Sequence, residues 1–188
     1  MHTGRLVLTP SDPFYCPRDA LALEQRLREV GFIGAGLTDR EGAYLLGDDF
    51  LQLVSFLGCS PHIELGPNPD GRPFCHLQIN PPTPEPVFLY GRNTSPPRCQ
   101  ACRRRIPEWR PIMQQWQADP RGFLATCPHC GHRQNPASYD WRHGAGCARQ
   151  VLFVENIFPN EAIPSPRLLQ ALQDPDQEVA WGYFYIQD

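Results

Sequence analysis

A chain of 188 residues with 41% apolar and 11% aromatic residues can bury one ordinary core and one small appendage, which excludes wholesale disorder and leaves little room for two full domains. No run of about eighteen uninterrupted apolar residues occurs and the start lacks an apolar leader core, so we expect a cytoplasmic protein with no secretion signal and no membrane partner. The net charge of −3 hides an asymmetry: residues 92–149 carry ten arginines against three acids, a balance of +7, while the rest of the chain is acidic.

In chain order, "RLVLT" (5–9) reads as a short strand. "RDALALEQRLREVG" follows, with Leu23, Leu27 and Val30 on one helical stripe and Gly31 as its C-terminal cap. "DDFLQLVSFLG" predicts a second helix with Phe50, Leu53, Val54 and Leu57 inward. Strands are expected at "HIEL" (62–65), "FCHLQI" (74–79) and "VFLYG" (87–91), with a turn at Asp70-Gly71 in the first linker.

Beyond residue 149, "RQVLFVENIF" predicts a buried strand. "SPRLLQAL" predicts a helix capped by Ser165 with Pro166 in its first turn and Leu168, Leu169 and Leu172 as its apolar face. The closing "EVAWGYFYI" alternates apolar residues on both faces, which predicts a strand covered on both sides and paired with strands from the first half. The flanking parts are too short to fold separately. We therefore expect an α+β fold in which one discontinuous domain, 1–91 and 150–188, is interrupted by an inserted module at 92–149.

The central segment contains Cys99-x-x-Cys102 and Cys127-x-x-Cys130, separated by 24 residues. Two residues between thiolates let both sulfurs of a tight turn reach one metal at about 2.3 Å, and a second such turn completes a tetrahedron. "CPHCG" (127–131) and "CQACR" (99–103) resemble the knuckles of zinc-ribbon modules, although the second of these lacks the usual proline and glycine. The resemblance covers 98–133 and implies a structural Zn2+ held by Cys99, Cys102, Cys127 and Cys130. Four thiolates leave no position open for a reacting water.

His129 and His132 are alternative ligands in the second knuckle, and His143 with Cys147 is a further pair. Between the knuckles, Trp109, Ile112, Met113 and Trp116 form a stripe expected to dock the module on the main domain. All 17 basic residues are arginine, each a planar fork suited to phosphate or carboxylate. Arg103, Arg104, Arg105 and Arg110 are therefore candidate anion-binding residues.

The favoured reading is a non-enzymatic binding or adaptor protein whose ribbon contacts an anionic macromolecule, nucleic acid or an acidic protein surface. In a second reading the protein has a protein-interaction or structural role, with the ribbon docked on the chain's own acidic domain. A third is an enzyme using Cys59, His62, Cys75 and His76, but no phosphate-cradling glycine loop, nucleophile elbow or His-Glu zinc motif supports a named reaction.

Overall fold

The computed structural model describes residues 4–57, 63–157 and 161–187. Their strands are β1 (Gly4–Pro10), β2 (Ile33–Gly36), β3 (Ala43–Leu46), β4 (Val54–Phe56), β5 (His76–Ile79), β6 (Val87–Tyr90), β7 (Ala125–Thr126), β8 (Arg133–Gln134), β9 (Ala145–Ala148), β10 (Leu152–Ile157), β11 (Ala162–Pro164) and β12 (Trp181–Gln187). The α-helices are α1 (Ala20–Glu29), α2 (Phe50–Leu53), α3 (Trp109–Ala118) and α4 (Pro166–Leu172). The fold is α+β, built on an antiparallel six-stranded sheet of order β12-β1-β10-β5-β3-β2.

Alternation along β1 divides this sheet into two faces. Leu6 stands beside Val154 and Tyr185, and all three belong to a core closed by Leu23 and Leu27 of α1 and Leu168 and Leu172 of α4. Val7 stands beside Phe153 and Phe184, and these pack with Ile186, Ala148 and Leu89 on the opposite face. The final strand thus pairs with β1 and is covered on both sides, as its alternation predicts.

The two longer flanking helices follow their local signals. Asp19 accepts the amides of Leu21 and Ala22 at the start of α1, and Gly31 adopts φ +71° just beyond it. Ser165 accepts the amide of Leu168, with Pro166 in the first turn of α4. The Asp70-Gly71 turn also forms, with Gly71 at φ +66° and its amide donating to the carbonyl of Asn68.

The second helix is shorter than its pattern predicts. After one turn the chain extends into β4, which pairs antiparallel with β11, and Leu57 is left exposed. Phe50, Leu53 and Val54 are still buried, because one helical turn followed by an extended β-branched residue presents the same three to the core. "HIEL" is not a strand over its described residues 63–65. "VFLYG" is one, yet β6 pairs with β9 outside the main sheet.

A second apolar cluster lies wholly within residues 88–147 and includes Phe88, Cys99, Ile106, Trp109, Met113, Trp116, Cys127 and Trp141. The helical stripe forms as expected, but its role is corrected: Trp109, Met113 and Trp116 pack into this cluster instead of docking on the sheet. Contact with the sheet runs through Leu89 and Ala148 of the β6–β9 ribbon. The exposed edge of β12 is capped from the same stretch, where Arg92 donates to Gln187 O and Tyr185 N donates to His143 O.

Candidate metal centre

Both cysteine pairs are built from the same local geometry. In the first, Arg103 N donates to Cys99 O at 2.9 Å and Cys99 N donates to Arg104 O at 3.0 Å. In the second, Gly131 N donates to Cys127 O at 3.0 Å and Cys127 N donates to His132 O at 2.8 Å. The residues before each pair are bridged in the same register, Arg98 to Arg105 and Thr126 to Arg133. Each loop turns back through a left-handed residue after its second cysteine, φ 60° at Arg103 and φ 73° at Gly131. The missing glycine of the first knuckle leaves the turn intact at the cost of placing an arginine in a conformation that favours glycine.

The two turns bring their sulfurs together. Sγ of Cys99 lies 3.9 Å from that of Cys130, Sγ of Cys102 lies 3.8 Å from that of Cys127, and all four are within 4.8 Å of one another. Sulfurs at the corners of a tetrahedron with 2.3 Å metal bonds are about 3.8 Å apart, so these four residues fit one metal ion. Cys99 and Cys127 are buried, Cys102 is half-buried and Cys130 is exposed.

The electrostatics point the same way. Burial acts to raise the Cys127 thiol, but amide donation from His129 and Cys130 reverses this and draws it well below the usual thiol range. The His132 amide acts to lower Cys130, yet the neighbouring sulfurs hold it protonated to higher pH. Four close thiolates without a cation repel one another, and a divalent ion removes that conflict.

Supporting residues complete the cluster. Asn135 accepts from Trp116 Nε1 at 2.8 Å and from Ala137 N, and donates to Pro120 O, so one amide ties α3 to the loops around the second knuckle. Gln134 is buried with its side-chain oxygen 3.7 Å from Cys99 Sγ. Neither role was read from the sequence; the available signal was Asn135 standing just before Pro136.

The remaining candidates are placed apart from the sulfurs. His129 directs Nε2 to Arg105 O, His143 directs Nδ1 to Tyr183 O, and Cys147 is buried in the second cluster with its thiol raised by burial. Arg103, Arg104, Arg105 and Arg110 are all exposed. Arg103 pairs with Asp140 at 3.0 Å and Arg110 lies over the Trp109 ring at 4.5 Å, while Arg104 and Arg105 form no ion pair among the described residues.

Cys59 and His62 lie outside the described residues. Cys75 is fully buried on the helix-covered side of the sheet, where burial pushes its thiol up to about 12. His76 follows it directly, so its side chain projects to the other side. Its Nε2 lies 3.3 Å from Arg40 Nη1 and its Nδ1 lies 3.0 Å from Phe74 O. Cys75 and His76 therefore do not meet at a common site.

Comparison of the chain with protein-family models, curated proteins and solved structures finds no match. Among the described residues, no helix is long and apolar enough to cross a membrane.

Proposed function

We propose that this is a zinc-binding protein in which residues 92–149 form a zinc-ribbon module, inserted into a discontinuous domain of residues 1–91 and 150–188. The Zn2+ is structural and is held by Cys99, Cys102, Cys127 and Cys130. The observation that carries this reading is the pair of matched knuckles, which set four sulfurs at tetrahedral spacing. Zinc would supply charge neutralisation and a cross-link between two loops that also meet through His129 with Arg105 O and Gln134 with Gln100 N. The protein's part is to present deprotonated sulfurs, satisfy them with backbone amides and exclude water from Cys99 and Cys127.

The module's task in this proposal is to hold an arginine surface for an anionic macromolecule, with nucleic acid as the first choice. Four thiolates on one zinc contribute about −2, which leaves the segment near +5. Arg104, Arg105 and Arg110 are exposed and make no ion pair among the described residues. That pattern favours an external partner over neutralisation by the chain's own acidic part. The test is a polarisation titration of the zinc-loaded protein with single- and double-stranded DNA and RNA. Binding should weaken steeply with salt and lose part of its salt slope when Arg104, Arg105 and Arg110 become glutamine. Absence of binding to every one of these at low salt would remove nucleic acid as the partner.

A further inference from the structure

The face of the sheet that carries His76 holds a cavity distant in sequence from the cysteine loops. Its volume is about 420 Å³, and Arg40, Asn68, Arg72, Phe74 and His76 line it. We infer that this cavity is a binding site for an oxyanion, the phosphate or carboxylate group of a small molecule, held by the guanidinium groups of Arg40 and Arg72 and the side-chain amide of Asn68.

Three observations carry the assignment. The first is the orientation of Arg40 by a buried imidazole. A guanidinium has no acceptor, so the 3.3 Å contact makes His76 Nε2 the acceptor and leaves Nδ1–H to donate to Phe74 O at 3.0 Å. Both ring nitrogens are thus used in aiming Arg40, and His76 acts as a positioning residue.

The second is Asn68. Its Oδ1 accepts the Arg72 amide at 3.0 Å, which leaves Nδ2 as a donor, and that atom is buried without a partner among the described residues. The same turn, closed by Gly71 N donating to Asn68 O, sets Arg72 at the cavity. A buried donor left unpaired carries a desolvation cost, which an acceptor brought against it by a small shift of the turn would remove.

The third is the charge balance. Arg40 Nε touches Asp39 at 3.6 Å and Arg72 Nη2 touches Asp70 at 3.7 Å, both through exposed side chains, and Glu155 beside His76 in the sheet register contacts Arg5 at 3.5 Å. Arg40 thus spends Nε on Asp39 and Nη1 on His76, Arg72 spends Nη2 on Asp70, and Nη2 of Arg40 with Nε and Nη1 of Arg72 remain to donate to an acceptor. Pro67, Pro73 and Phe74 supply the apolar wall. Cys75 faces the other side of the sheet and does not line the cavity.

The test is a 1H–15N titration of the zinc-loaded full chain at constant ionic strength, with inorganic phosphate in one arm and acetate in the other. It follows the side-chain amide of Asn68 and the Nε–H groups of Arg40 and Arg72. The expected result is a saturable shift of these signals, stronger in one arm, which names the oxyanion, and an affinity about tenfold lower or worse in Arg40→Gln and in Arg72→Gln. Asn68→Asp, which replaces the donor by a like charge, should also weaken it. Both arginines are exposed, so unchanged thermal melting verifies that the variants fold. No saturable shift in either arm, or shifts that persist unchanged in both arginine variants, would overturn the assignment. Zinc content and nucleic-acid binding should be unaltered in these variants, which separates a failure here from a failure at the cysteine site.

Discussion

Arg103 stands in the first knuckle where Gly131 stands in the second, with matching amide bonds and backbone angles of φ 60° and 73°. A left-handed conformation costs a side-chain-bearing residue about 1–2 kcal/mol, whereas the exposed pair of Arg103 with Asp140 returns about 0–1 kcal/mol. Arg103→Gly should therefore leave the metal-loaded protein as stable or up to about 2 kcal/mol more stable. Arg103→Val, with a branched Cβ in the same turn, should lose about 1–3 kcal/mol. Denaturant midpoints of the two variants check this; a more stable valine variant would contradict the account of the turn.

Gly146 of β9 lies against the ring of Phe184, so a methyl group there would strike the contact between the β6–β9 ribbon and the sheet. Gly146→Ala is expected to destabilise by about 1–3 kcal/mol. Gly182→Ala, where nothing stands within the reach of a new Cβ, should shift stability by less than about 0.5 kcal/mol. Thermal melting of the pair distinguishes a packed ribbon from a loosely tethered one.

Tyr185 is buried, and burial followed by the neighbouring Tyr183 pushes its hydroxyl up to about 12. Its stabilising contribution is present below the unfolded value near 10 and is lost as pH rises through the folded value. Folding stability should fall between about pH 10 and pH 12, and Tyr185→Phe should flatten part of that fall. Stability measured across this range in both proteins checks the expectation, and identical slopes would contradict it.

Metal removal should act first on the second cluster. Trp109, Trp116 and Trp141 pack there beside Cys99 and Cys127, whereas Trp181 belongs to the core shared by the sheet and helices α1 and α4. A chelator should red-shift tryptophan emission and lower the melting temperature, since structural zinc sites contribute on the order of 10 kcal/mol to the fold they close. Far-UV dichroism from the six-stranded sheet should largely persist. Unchanged emission after complete chelation would contradict a structural metal.

Local chemistry made much of this legible. The knuckles, the capped helices α1 and α4 and the doubly covered β12 each announce themselves within a dozen residues, because a ligand spacing, a cap or a strict alternation is a local constraint. The one-turn α2 is not legible, because Phe50, Leu53 and Val54 are buried equally well by a helix or by a turn entering a strand. Strands β2 and β3, "IGAG" and "AYLL", are four residues each, too short to show a period, and only pairing in the sheet defines them. The docking surface is not legible either, because a tryptophan stripe says that a face is buried without saying against what. Of the Arg40, Asn68 and Arg72 cavity only the Asp70-Gly71 turn and His76 are legible, since Arg40 meets that turn only once the sheet has folded.

A single metal ion held by four sulfurs is the central proposal, and native mass spectrometry of the intact chain reads it directly. The expected result is one zinc per chain in the unmodified protein, absent from Cys127→Ser and from Cys99→Ser. A metal-free mass for freshly purified protein supplied with zinc, or full zinc retention in both serine variants, would contradict it.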